Sequence, residues 1–163
     1  MKISRRYVNN SDDAKDLMNQ SFLKIINNLT SFNTNENFEA WISRIAINTC
    51  IDYYRKNKRY KSHVVSSEEQ SEWKLEIKNK TENDALHRLN ANQIFSLIDE
   101  LPETAKQVFN LFAIDGYNHK EIAEMLQMTE TTSRWYLHKA RNILQEQINK
   151  LNKEHPIRYA TQG

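Results

Sequence analysis

Glycine and proline are nearly absent from this sequence, with two of each in 163 residues. So few breakers, in a chain rich in Asn, Lys, Glu and Leu, make long helices the default reading. The single cysteine, Cys50, excludes an intramolecular disulfide framework and fits a reducing compartment. No apolar run approaches the roughly 18 residues of a membrane span, and no signal-peptide pattern is present. A soluble, cytoplasmic protein with no membrane contact of its own is expected. The usual marks of catalysis are missing too. His63, His87, His119, His138 and His155 are scattered without a ligand spacing such as His-Glu-x-x-His. There is no Gly-rich phosphate loop and no Ser/His/Asp or Cys/His constellation. We therefore expect no enzyme, no metal and no cofactor. The net charge of +2 says little about partners, whereas the distribution of charge says more.

The strongest local pattern is Asn118 to Leu144, NHKEIAEMLQMTETTSRWYLHKARNIL. Asn118 and Glu121 have the spacing of a capping box. Ile122, Ala123 and Leu126 share one helical face, and the break falls at Gln127-Met128-Thr129, with Thr129 placed to cap a second helix. Leu137, Ala140, Leu144 and Ile148 line one side of that helix. Glu130, Thr131, Arg134, Tyr136 and Lys139 lie on or near the other. Two short helices crossing around a small Ala describe a helix-turn-helix, whose second helix fits a DNA major groove. An αα-hairpin that only packs is the alternative, and the basic, polar exposed face favours DNA.

Earlier in the chain, Ser11 can cap a helix to about Leu29, with Ala14, Leu17, Met18, Ser21, Phe22, Ile25, Ile26 and Leu29 as its core face. Its opposite face carries Asp13, Asp16, Gln20 and Lys24. A polar loop from Thr30 to Asn37 leads to a second long helix from about Phe38 to Lys58. Phe38, Trp41, Ile42, Ile45, Ala46, Thr49 and Tyr53 form its expected core stripe, with Ile47, Ile51 and Tyr54 as another apolar line. Cys50, between them, reads as a small core residue rather than a reactive thiol. The helix runs into Arg55, Lys56, Lys58, Arg59 and Lys61, interleaved with Tyr53, Tyr54 and Tyr60. Cations neutralise phosphate and aromatic rings stack on exposed bases, so this run reads as a nucleic-acid surface. The helix dipole alone would account for two or three cations there, not five. Residues 62–81 read as an acid-leaning linker, with Trp73, Leu75 and Ile77 as a short extended segment or a contact point. Helicity resumes near Glu82 with Leu86, Leu89, Ile94, Leu97, Ile98 and Leu101. Pro102 then opens another helix to about Ile114, presenting Ala105, Val108, Phe109 and Phe112 and closed by Asp115-Gly116.

Two blocks carry a resemblance. DDAKDLMNQSFLKIINNLTSF followed by NFEAWISRIAINTCIDYYRKNKR resembles region 2 of the extracytoplasmic-function (ECF) group of sigma-70 family sigma factors. LPETAKQVFNLFAIDGYNHKEIAEMLQMTETTSRWYLHKAR resembles region 4 of the same group. They stand in the family's order, on either side of a variable linker. The resemblance implies an all-α protein of two small helical domains: region 2 over 1–61, a linker over 62–81, region 4 over 82–152 and a tail over 153–163. It implies a subunit that binds core RNA polymerase and directs promoter recognition, region 2 melting the −10 element and region 4 reading the −35 duplex. An anti-sigma factor is a further partner expected from the family.

Residue by residue, the resemblance places Asp13, Asp16 and Gln20 on the polymerase clamp helices. The loop from Ser31 to Asn37 and the helix bearing Asn48 would hold an unstacked non-template base, with Arg55, Lys56, Lys58 and Arg59 as the cationic track. Trp41, on the core stripe, reads as structural. In region 4, Thr131, Thr132, Arg134, Tyr136, Lys139 and Arg141 are the DNA candidates. Arg134 is suited to reading guanine, and Lys139 and Arg141 to gripping phosphate. His138 reads as packing or phosphate contact. Three departures stand out. Only Met1 to Val8 occupies the place of the family's first helix, so part of the Leu17/Phe22/Ile25 face is expected to be exposed or covered by another chain. Gln127 stands where Gly is usual in the turn, and Trp135 replaces a small or polar residue on the second helix. The competing reading is an autonomous helix-turn-helix regulator that binds its operator without polymerase.

Overall fold

The computed structural model describes residues 2–64 and 91–154. In chain order these form α1 (Lys2–Tyr7), α2 (Ser11–Asn28) with a 3-10 turn at Leu29–Ser31, and α3 (Phe38–Val64). They continue with α4 (Ala91–Asp99), α5 (Glu103–Phe109) widening into a π turn at Asn110–Ile114, α6 (His119–Leu126) and α7 (Glu130–Glu154). The fold is all-α, as expected. The expected linker over 62–81, the segment around Trp73 and the restart near Glu82 lie almost wholly outside the described residues.

Local chemistry sets most boundaries. Helix α2 is capped one residue earlier than the sequence reading placed it: Asn10 Oδ1 accepts from the Asp12 backbone N–H at 2.8 Å. The acidic Asp12 and Asp13 then occupy the first turn, where the helix dipole favours them. Pro102 is the N-cap of α5 rather than its first residue. At the far end, Asp115 N–H reaches back to Asn110 C=O, which closes the π turn before Gly116 takes its positive φ of 79°.

In the first half, α1, α2 and α3 pack on one another. The core here is Tyr7, Ala14, Leu17, Ile47, Cys50, Ile51 and Tyr54. This corrects the expectation for α3. The line Ile47/Ile51/Tyr54, with Cys50 and Thr49, is the buried one, whereas Tyr53 is half-buried and Phe38 is 47% exposed. Cys50 is a core residue, its thiol pushed up to about 11 mainly by burial. The face of α2 divides along its length. Ala14 and Leu17 are buried, but Phe22 is 61% exposed, and Ile26 and Leu29 are each 50% exposed.

In the second half, α5 and α6 lie against α7. Val108, Leu111, Ile122, Leu126 and Leu137 are buried there, and Ile98, Leu101, Ala105 and Ala140 form a second cluster that seats α4 on α7. Leu111, three residues after Val108, is fully buried beside it, whereas Phe112 is only partly buried. The larger cluster runs without a break from Tyr7, Leu17 and Ile51 to Val108, Leu111 and Ile122, so the two halves share one apolar seam.

Candidate nucleic-acid interface

Two helix-borne surfaces can meet DNA. The first lies on α3 and the loop before it. Asn33 Oδ1 accepts from Asn35 N–H, and Asn37 Oδ1 caps α3 by accepting from Ala40 N–H at 3.0 Å. Phe32, Phe38 and Trp41 form an aromatic trio with centroids 5.1 to 5.9 Å apart. Trp41 is half-buried in this trio, and Asn48 is exposed about two turns further along α3. Near the end of the helix, Lys56 and Lys58 are exposed, with Lys58 Nζ 5.9 Å from the centre of the Tyr54 ring. Arg55 is half-buried and paired with Asp52 at 2.6 Å. Tyr60, 77% exposed, offers a ring face to solvent. Cations spaced along a helix with an exposed ring beside them are what a flexible single strand requires.

The second surface is the helix-turn-helix, and it is built as its residues dictate. Asn118 Oδ1 accepts from Glu121 N–H at 3.0 Å while Glu121 Oε2 accepts from Asn118 N–H at 2.8 Å, which completes the capping box. Gln127 takes the left-handed turn with φ 55° and ψ 52°, the one positive-φ residue other than glycine among the described residues. Thr129 Oγ1 then accepts from Thr132 N–H at 3.1 Å and caps α7. Ser133, fully buried, bonds His119 Nδ1 at 2.9 Å, tying the two helices together. The His119 ring stacks on Phe112 at 4.7 Å, and burial, with Arg134 nearby, holds its pKa below the usual value.

On the outer face of α7, Glu130, Thr131, Arg134 and Arg141 are exposed. Arg134 pairs with Glu130 at 3.2 Å, an exposed i,i+4 pair of the kind that constrains weakly. Arg141 lies 5.7 Å over the Phe112 ring and Lys139 lies 5.1 Å over Trp135, so both cations are aimed by an aromatic platform. Trp135 thus has a visible local role: it contacts Tyr136 edge-on and carries Lys139. Tyr136 is half-buried against both core clusters, which sets it apart from the exposed Thr131, Arg134 and Arg141. The Thr132 hydroxyl is engaged by the Thr129 cap at 2.8 Å. His138 Nδ1 accepts from Asn142 Nδ2 within α7 at 3.1 Å and is half-buried, in line with packing.

The structure brings the cationic end of α3 up to the helix-turn-helix. Arg59 Nη2 donates to Gln127 Oε1 at 3.1 Å, and Asp52, Arg55, Lys56, Arg59, Tyr60 and Gln127 line a shared cleft of about 490 Å³. Asp16 and Gln20 are exposed on α2, apart from that cleft, and Asp13 is half-buried. Sequence reasoning missed a further polar group at the seam between the halves, formed by Arg6, Tyr7, Asn9, Lys106, Gln107, Asn110 and Asp115. The available signal was the interruption of the apolar stripe of α5 by Lys106, Gln107 and Asn110, all three of them buried.

Comparison with known proteins agrees with this geometry. The family model for Sigma-70 region 2 matches residues 1–60, and that for Sigma-70 region 4 matches residues 91–144. The ECF RNA polymerase sigma-E factor of Escherichia coli (strain K12) is 30% identical over 152 residues, covering 90% of this chain and 78% of that protein. The sigma-E factor of Haemophilus influenzae is 27% identical over 151 residues, covering 90% and 79%. RNA polymerase sigma factor SigV of Bacillus subtilis is 26% identical over 149 residues, covering 91% and 84%. In fold, the chain is similar to the sigma factor RpoE solved with the anti-sigma factor NepR from Bartonella quintana. The TM-score is 0.55 at 20% identity, over 93% of this chain and 89% of that one. With both regions matched in order and a 30% identical relative aligned over most of its length, the chain belongs to the ECF group of sigma-70 family sigma factors, the subunits that direct RNA polymerase to promoters.

Proposed function

We propose that the two surfaces divide one promoter between them. The domain assignment is region 2 over 1–61 and region 4 over 82–152, joined by 62–81. The observation that carries the reading is the pairing, on one chain, of a cation-lined helix end beside an exposed ring with a fully capped helix-turn-helix. The first suits a flexible strand and the second suits a rigid duplex. Arg55, Lys56, Lys58 and Arg59 track the −10 single strand, with Asn48 and the loop before α3 holding an unstacked base. Unstacking costs a few kcal/mol, which a preformed cationic track helps offset. Thr131 and Arg134 face the −35 major groove, and Lys139 and Arg141 hold its phosphates. Thr132 contributes through the helix start that its cap fixes, and Tyr136 acts by packing. Asp13, Asp16 and Gln20 on α2 dock on core polymerase. The chain works in the cytoplasm, where polymerase is, and catalyses no reaction itself. An anti-sigma factor is a partner by analogy with the Bartonella protein, whose structure contains one.

The test is transcription with bacterial core polymerase on a promoter library, followed by sequencing of the products. Promoter-specific initiation is expected. Its absence, with tight duplex binding by the chain alone as a dimer, would favour an autonomous regulator instead. Neutralising Arg55, Lys56 and Arg59 together should weaken open-complex formation and flatten its dependence on log salt by about 2, at about 0.7 per lost single-strand phosphate contact.

A further inference from the structure

Of the two aromatic residues Trp135 and Tyr136 on α7, Tyr136 packs against both core clusters, and Trp135 is part of neither among the described residues. Helical periodicity explains the difference. Ser133, Leu137 and Ala140 mark the buried side of α7. Trp135 stands two residues from Ser133 and two from Leu137, about 200° around the helix from each, so it projects away from that side. Thr131, Arg134, Trp135 and His138 follow i, i+3, i+4, i+7 spacing and share the outward face. They lie in the first turns of the second helix, the part of a helix-turn-helix that meets base edges.

The Trp135 ring is also held in place. Lys139 Nζ lies 5.1 Å from its centre, over one face, and Tyr136 meets it edge-on at 4.8 Å. The residue is half-buried by these contacts, with the rest of its surface open to solvent. A large side chain that is fixed before binding loses little rotamer freedom when it binds, which is how aromatic anchors gain affinity.

The chemistry of the groove narrows what such a ring can read. All four bases present hydrogen-bonding groups in the major groove, and thymine alone adds an apolar substituent, its C5 methyl. The carbon rim of an indole gains from covering a methyl. Against a base carbonyl or amino group it would displace water without replacing the hydrogen bond. We infer that Trp135 is a specificity-determining residue of the second helix, its ring covering the methyl of one thymine in the −35 duplex, next to the base pair that Arg134 meets. Lys139, seated on the same ring, holds phosphate.

This role rests on the region 4 reading above, and one experiment separates the two. The full-length chain with core polymerase is bound to duplex promoters carrying the −35 sequence that the promoter library returns. Each thymine of that element, on either strand, is replaced in turn by deoxyuridine, which removes one methyl and leaves base pairing intact. One position should bind about fourfold more weakly, the worth of one buried methyl. Trp135→Ala should abolish the sensitivity at that position and leave the other thymines as they were. Trp135→Phe, which keeps a ring, should retain part of it. Lys139→Ala should weaken every duplex alike and retain the sensitivity, because a phosphate contact carries no sequence information. A Trp135→Ala chain that binds all duplexes more weakly while the methyl effect persists would make the ring a support for Lys139 only, and overturns the inference. A −35 element with no uracil-sensitive thymine, or with no thymine, overturns it as well and leaves the region 4 reading in place. A library that returns no −35 preference removes both.

Discussion

The two halves solve the problem of a small core in different ways. Region 4 is specified locally: both helices of its helix-turn-helix are capped by side chains, and Val108, Leu111 and Ile122 are fully buried in the cluster it shares with α1–α3. Region 2 leaves Phe22, Leu23 and Ile26 of α2, and Leu29 just past it, at least half exposed and draws part of its cohesion from α1, which region 4 holds. The difference matches the targets. A duplex is a rigid object with a regular groove, so its reader gains from a rigid, locally specified unit. Polymerase and a melted strand are shaped together with the protein, so the unit that meets them can leave surface uncovered until assembly.

The contrast is open to direct attack. The largest effect is expected from Leu111→Ala, which should cost about 2–5 kcal/mol in thermal or urea unfolding. Phe22→Ala, a larger apolar truncation, should change stability by less than about 1 kcal/mol because its ring is mostly in water already. Equal losses would show that the α2 face is covered in solution. Next comes Arg134→Ala, expected to relax preference at one −35 position by about 1–3 kcal/mol in a binding series over duplex variants, while leaving the −10 preference alone. A uniform loss over all sequences would make Arg134 a phosphate contact.

Smaller is the cap. Asn118→Ala should lower stability by about 1 kcal/mol, since it leaves the Glu121 N–H without its acceptor. No equivalent loss is expected from Ser11→Ala, because Asn10 caps α2. Smallest is a pH effect confined to region 4. His119 has its pKa lowered in the fold, first by burial and then by Arg134. A group whose folded pKa lies below its unfolded value stabilises most fully above the unfolded value, about 6.5 for His, and less as pH falls. Region 4 stability should therefore decline modestly below about pH 6.5, and His119→Asn should flatten that decline in unfolding curves taken between pH 5 and about pH 7.5.

Much of region 4 was legible before any coordinates. The capping box, the turn at Gln127 and the Thr129 cap each follow from residues within four positions of one another, where local geometry decides. Region 2 was harder to read. The sequence favoured the Phe38/Trp41/Tyr53 line of α3 as its core stripe, and only the packing of α1 and α2 showed that Ile47, Ile51 and Tyr54 are the buried line. The DNA candidates divided the same way. Arg134, Lys56 and Lys58 lie where their spacing places them, whereas Tyr136 turns toward the core because α4 and α5 supply a surface it can pack against.

Helix content, the helix-turn-helix and the cationic end of α3 were determined by the sequence alone, because capping, periodicity and charge spacing act over a few residues. Which face of α3 is buried, and the meeting of Arg6 and Tyr7 with Asp115, were decided only by tertiary structure. Pairings across a hundred residues leave no periodic trace. A buried ion pair is recognisable only once both partners are placed, because its strength comes from the low dielectric around it rather than from either residue.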